Sequence, residues 1–270
     1  MDQLTDDDKA KLEAQNTRLV SNFQAIKLEK EAKKNWDLFY KRNTTKFFKD
    51  RHWSTREFQE LLGESKPNLE NSQHTRKLLE IGCGVGNLIF PLIEDKLNDY
   101  FIYGLDFSPR AIEIVKQNPL YSEHYMKAFP CDITTEEVFD TIAPETLDLI
   151  TLVFVLSAIH PDKFSAVISN IHKLLKPGGI LLFRDYGEFD MAQLRFKPGS
   201  KIAEKLYVRQ DGTRSYYFAT EETKNMFEKA GFEILSNEYI HRRTINLKEG
   251  IDVPRIFVQG KYRKVTGSVS

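Results

Sequence analysis

From residue 77 onward, short apolar runs alternate regularly with amphipathic stretches. Lys77 to Ile81 reads as a strand, followed by a glycine-rich turn and a helix to about Leu97. Phe101 to Leu105 is a second strand, with a helix over Pro109 to Asn118, and Lys127 to Pro130 is a third. Leu147 to Leu156 is almost wholly apolar, the pattern of a strand covered on both faces. A helix over Lys163 to Leu175, the turn Lys176-Pro177-Gly178-Gly179 and a strand over Ile180 to Arg184 complete the run. Strands and helices alternating at this pitch predict an α/β fold: a doubly wound, Rossmann-like sheet, mostly parallel, with helices on both faces. The segment Gly187 to Thr220 interrupts the alternation as an insertion. A helix (Glu221 to Ala230) and two late strands (Phe232 to Ile240, Arg255 to Gln259), one of them antiparallel, close the sheet.

The N-terminal part has a different texture. Residues 5 to 35 predict a polar helix with a loose stripe of Leu12, Leu19, Phe23, Ile26 and Leu28. Residues 35 to 62 then interleave aromatic with basic side chains, and Gly63 to Arg76 has the composition of a loop. These shifts divide the chain into an N-terminal extension (1–76), a core (77–186), an insertion (187–220) and a C-terminal completion of the core (221–270).

Net charge is zero, but it is segregated. Lys27 to Arg56 holds ten Lys/Arg against four Asp/Glu, whereas Lys77 to Leu194 holds nine against seventeen. Arg195 to Arg214 (six against two) and His241 to Lys264 (seven against two) are basic again. Basic patches beside an acidic body suit a nucleic-acid partner as well as ordinary solvated faces. The first residues resemble neither a signal nor a transit peptide, and no run is long and apolar enough for a membrane span. The two cysteines, Cys83 and Cys131, build no disulfide framework and no metal-ligand set, pointing to a reducing, intracellular setting, with the cytoplasm the expected compartment and the nucleus a second one.

The chemistry concentrates at strand ends. Glu80-Ile81-Gly82-Cys83-Gly84-Val85-Gly86 lies where the first strand meets the first helix, and glycines there let backbone approach a ligand. The dinucleotide fingerprint needs G-x-G-x-x-G, and here the third glycine comes one residue early, which excludes the usual dehydrogenase turn. Asp106 ends the second strand, where an acid receives ribose hydroxyls. Asp132-Ile133 follows the third strand, a place suited to an adenine. The turn with Gly82 and Gly84, Asp106, Asp132 and the Lys176–Gly179 turn together resemble class I methyltransferases, whose cofactor is S-adenosylmethionine. Asp185, just beyond the fifth strand at the carboxyl edge of the sheet, is the candidate catalytic carboxylate, placed to stabilise positive charge developing during methyl transfer. A loop-capping role, or a pair with Arg184, is its structural alternative.

Longer stretches extend the resemblance. Asn35-Trp36-Asp37-Leu38-Phe39-Tyr40-Lys41-Arg42-Asn43, Phe47-Phe48-Lys49-Asp50-Arg51-His52-Trp53 and Asp106-Phe107-Ser108-Pro109-Arg110-Ala111 are three of them. Ala158-Ile159-His160-Pro161-Asp162-Lys163, Phe183-Arg184-Asp185-Tyr186-Gly187 and Tyr207-Val208-Arg209-Gln210-Asp211-Gly212-Thr213-Arg214 are the others. Together they resemble the tRNA N3-cytosine methyltransferases, from about Leu19 to Phe257. The resemblance implies methylation of cytosine at position 32 of the anticodon loop, serine tRNAs as substrate, seryl-tRNA synthetase as partner and a monomeric enzyme. It also implies cofactor contacts at Trp36, Tyr40, Gly82, Asp106, Asp132, Ile133 and Val153, the last replacing the family's Ile or Leu. Phe47, Arg51 and His52 are expected to grip the loop, and Arg195, Arg209 and Arg214 to face phosphates. A methyltransferase of another substrate, or a non-catalytic RNA-binding module of the same fold, remains the alternative.

Overall fold

The computed structural model describes residues 4–45, 50–62, 76–95, 100–246 and 251–265 of the 270-residue chain. Three helices open it: α1 (Asp6–Asn16), α2 (Asn22–Lys30) and α3 (Ala32–Asn43), followed by the short α4 (Ser54–Glu57). The expected single polar helix is thus broken twice. Thr5 and Ser21 each accept a backbone N–H of the next turn, capping α1 and α2 separately.

The core then follows the predicted alternation: β1 (Arg76–Ile81), α5 (Ile89–Glu94), β2 (Tyr100–Asp106), α6 (Pro109–Lys116), β3 (Met126–Pro130), β4 (Leu147–Val153), α7 (Phe164–Leu174) and β5 (Leu175–Tyr186). The insertion forms α8 (Met191–Leu194) and three short strands, β6 (Lys201–Ala203), β7 (Leu206–Val208) and β8 (Arg214–Tyr216). Helix α9 (Thr220–Lys229) leads to a long hairpin of β9 (Phe232–Asn246) and β10 (Ile251–Lys264).

The main sheet has seven strands in the order β3-β2-β1-β4-β5-β10-β9, and β6, β7 and β8 form a separate antiparallel sheet. The first five strands run parallel, and β10 is antiparallel to β5. Strand order reverses between β1 and β4, which opens a crevice at the carboxyl ends of those strands. Side chains alternate across the sheet. Leu78 and Leu149 pack on one face; Leu79, Ile81, Ile150 and Leu152 pack on the other, all buried.

The late strands are longer than their apolar residues indicate. β10 pairs β5 only from Phe257 to Arg263, so the distal hairpin is held by its own ladder. No apolar face is needed there, and hydrophobic pattern is therefore silent. β5 likewise begins at Leu175, taking in the Lys176–Gly179 turn. β4 stops at Val153, because Phe154 adopts a left-handed backbone.

The N-terminal helices dock on the insertion. The Gln15 amide donates to the carbonyls of Gln193 (2.9 Å) and Phe196 (3.2 Å) and accepts from the Tyr207 hydroxyl (2.9 Å). Gln15 is buried, and its bonds to Gln193 and Tyr207 are made away from competing water. The Asn35 side chain adds a bond to the Gly212 carbonyl (3.1 Å). Extension and insertion together form a second layer across the crevice. No described helix is long and apolar enough to cross a membrane.

Candidate active site

The crevice holds a pocket built from five segments of the chain. The turn after β1 supplies Gly82, Cys83 and Gly84, and β2 ends in Asp106. The loop after β3 supplies Cys131, Asp132 and Ile133, and the segment after β4 supplies Phe154, Val155, Ala158 and Ile159. Helix α3 closes the pocket with Trp36 and Tyr40. Six of the expected cofactor residues besides Trp36 therefore meet in one place: Tyr40, Gly82, Gly84, Asp106, Asp132 and Ile133.

Close approach explains the glycines. Gly82 has φ +64°, and a Cβ there would lie 2.4 Å from a Val155 methyl. Gly84 has φ +55°, and its Cβ would stand 3.0 Å from the Tyr40 hydroxyl. Trp36, Phe39 and Tyr40 lie at the i, i+3, i+4 spacing of one helix face. They pack edge to face, with centroids 5.2 Å and 5.3 Å apart, against Val85 and Ala111.

Asp106 is buried and fixed by two backbone donors, Gly84 N–H at 2.9 Å and Ser108 N–H at 2.8 Å. Burial pushes its carboxyl up to about 6, against the lowering effect of those N–H groups. Ser108 caps α6 and also donates to Asp37 on α3, tying the covering helix to the strand end. On Asp132, Oδ1 accepts both the N–H (2.9 Å) and the hydroxyl (2.7 Å) of Thr134, so Oδ2 is left for a ligand. A glycine cradle with no room for side chains, followed by two oriented carboxylates, fits the amino-acid, ribose and adenine parts of S-adenosylmethionine in chain order.

The remaining expectations divide. Arg51 reaches the pocket: its guanidinium donates to the Val153 carbonyl (3.3 Å) and lies 3.7 Å from Glu80. Burial holds the Glu80 carboxyl up, at about 8, despite that neighbour. Val153 itself is not a lining residue. It is buried among Leu149, Leu182 and their neighbours, because strand alternation turns it inward, and Phe154 and Val155 supply the wall instead. His52 lies outside the pocket, half-exposed, with Glu94 3.9 Å away. Phe47 falls outside the described residues.

Asp185 is likewise not a wall of the pocket. It is completely buried, and its two oxygens accept the Ser157 N–H (2.9 Å) and its neighbour Tyr186 N–H (2.9 Å). Burial raises its carboxyl to about 6. This geometry corresponds to the loop-capping alternative: Asp185 holds the turn that carries Val155 and Ala158 into the pocket. Arg184 turns away to Glu57 (3.3 Å) and the face of Trp53 (4.2 Å).

Arg214 also departs from expectation. It is buried, lines the cofactor pocket, and pairs with Glu29 of α2 while donating to the Ala158 carbonyl (3.3 Å). Strand β8 is buried along its whole length, so Arg214 points inward and not toward solvent. Arg195 and Arg209 instead border a second groove, with Arg42, Lys197 and Asp211. Glu29, Lys163 and Phe154 are pocket residues that the sequence reading missed. Glu29 sits in a lysine-rich polar helix and Phe154 in an apolar run, and neither context signals a site.

Fold and pocket define a class I S-adenosylmethionine-dependent methyltransferase. A methyltransferase-domain family model matches residues 37–237. The chain is 57% identical over 246 residues to mouse tRNA N(3)-cytidine methyltransferase METTL6, covering 91% of this chain and 86% of that one. It is 55% identical over 261 residues to the human protein of that name (97% and 90%). To fission-yeast tRNA N(3)-methylcytidine methyltransferase trm141 it is 41% identical over 249 residues (91% and 98%). Among solved structures, a methyltransferase from Anabaena variabilis superposes with a TM-score of 0.60 at 17% identity, covering 86% and 94%. A Haloferax volcanii methyltransferase, solved with its activator Trm112, gives 0.60 at 15% (88% and 100%). The chain belongs to the tRNA N(3)-cytidine methyltransferases.

Proposed function

We propose that this enzyme forms N3-methylcytidine at position 32 of the anticodon loop of serine tRNAs, aided by seryl-tRNA synthetase. The carrying observation is that α3 borders both sites: Trp36 and Tyr40 face the cofactor pocket, and Arg42 faces the basic groove. Arg42 lies six positions beyond Trp36 on the helix, a rise of about 9 Å. A polynucleotide whose phosphates lie along Arg42, Arg195, Lys197 and Arg209 would thus bring an extruded loop base within reach of the pocket. Arg195 and Lys197 are exposed and make no ion pair among the described residues.

Cytosine N3 carries a free lone pair at neutral pH, so no base need remove a proton. S-adenosylmethionine supplies a methyl group on a sulfonium, which leaves as a neutral thioether while the base takes up the positive charge. The chain's own work is alignment. Gly82 and Gly84 admit the ligand closely, Asp106 and Asp132 orient it, and Tyr40 and Trp36 cover it and exclude water. Asp185 acts at one remove, by positioning the turn over Leu156–Ala158.

The reading is tested by methyl transfer from labelled S-adenosylmethionine to serine tRNA and to the same tRNA with uridine at position 32. Each is assayed with and without seryl-tRNA synthetase and followed by nucleoside analysis. N3-methylcytidine confined to the first tRNA, and increased by the synthetase, is the expected result. Equal labelling of both tRNAs would refute the assigned position.

A further inference from the structure

Phe154 is the first residue after β4, and its φ of +59° is a conformation that bulky side chains rarely adopt. Its N–H still donates to the Arg184 carbonyl (2.8 Å), so the pairing with β5 persists while the side chain is turned out of the sheet. The ring still packs against the edge of the core cluster around Leu149 and Leu182. Leu152 and Val153 are buried, and the Phe154 ring is left partly exposed. What the turn achieves is a position at a junction. One side of Phe154 lines the cofactor pocket. The other meets Tyr186 (centroids 5.2 Å apart, planes 37°) and Phe257 (5.3 Å, 72°) at the carboxyl edge of the sheet. The Arg51 guanidinium lies 5.6 Å from its centroid. Backbone strain retained at a half-exposed aromatic beside a pocket marks a functional constraint.

We propose that Phe154 is the platform on which the target cytosine stacks after extrusion, presenting its N3 edge to the cofactor pocket. The inference rests on the RNA-methylation reading above and adds a catalytic residue to it. An aromatic face suits the task twice. It grips a planar base without reading its edges, and it tolerates the positive charge that the base acquires.

The test is photocrosslinking of serine tRNA carrying 5-iodocytidine at the target position to enzyme loaded with S-adenosylhomocysteine, the attachment site being mapped by mass spectrometry. Attachment at Phe154 is expected in the wild type. Phe154→Leu should abolish it and lower kcat/KM for unmodified tRNA by about tenfold to a hundredfold, the scale of one lost base stack. Phe154→Tyr should retain both. Attachment elsewhere in the wild type, or wild-type turnover by Phe154→Leu, would overturn the proposal. Wild-type enzyme that leaves unmodified tRNA unmethylated would overturn the RNA reading itself, and this inference with it.

Discussion

Arg214 and Glu29 form an ion pair at the mouth of the cofactor pocket, joining β8 of the insertion to α2 of the N-terminal extension. Lys163, from the segment before α7, approaches the same carboxylate at 2.6 Å. Segments 134 residues apart in sequence are thereby joined at the wall of the pocket, and both cations hold the Glu29 carboxyl below its usual range against the opposing effect of burial. Glu29→Gln should cost on the order of 1 kcal/mol of stability, since the pair is partly open to solvent. It should also speed dissociation of S-adenosylhomocysteine. Denaturant titration and stopped-flow release measure the two effects. Because the folded pKa is lowered, the stabilisation is present above the ordinary carboxylate range and is lost as pH falls through the folded value.

The raised carboxyl of Asp106, at about 6, has consequences of opposite sign for ligand and fold. Ribose hydroxyls need the ionised form, so affinity for S-adenosylhomocysteine should fall below pH 6, by up to about tenfold per unit. The ligand-free protein binds that proton more tightly folded than unfolded, so this group adds stability as pH falls from 6 toward the unfolded carboxylate range. Calorimetric titration and melting of wild type and Asp106→Asn across pH 5 to 8 would separate them. A flat affinity profile in the wild type would contradict the assignment.

Asp185 accepts two backbone N–H groups in a fully buried site. Asp185→Asn can turn only one oxygen toward those two donors, leaving one unsatisfied. A loss of about 1–3 kcal/mol in urea denaturation is expected. Methyl transfer should fall with it, through displacement of the Leu156–Ala158 turn. Wild-type stability in this variant would remove the positioning role.

Charge in the second groove should govern affinity and leave base choice alone. Replacing both Arg195 and Lys197 by Ala should weaken tRNA binding and reduce the slope of log affinity against log salt by about 1.4 to 1.8. Arg214→Ala should leave that slope unchanged, because Arg214 faces Glu29 and the Ala158 carbonyl. Filter binding over a salt series distinguishes the two variants.

Gly82, Gly84, Asp106, Asp132 and Ile133 were legible in the chain because each sits at a strand end or turn whose local pattern already dictates its place, whereas Trp36 and Tyr40 were assigned to the cofactor by the family resemblance alone. Alternation of apolar runs with helical stretches determined the parallel sheet for the same reason: burial on both faces leaves a local signature. Tertiary structure alone decided the fates of Arg209 and Arg214, five residues apart in one basic segment. One borders an open groove, and the other is paired inside the cofactor pocket. It alone decided that Asp185 faces backbone N–H groups, and that Phe154 ends its strand in a left-handed turn. Those outcomes depend on which segments meet across long loops, and on a backbone angle that no non-glycine side chain announces.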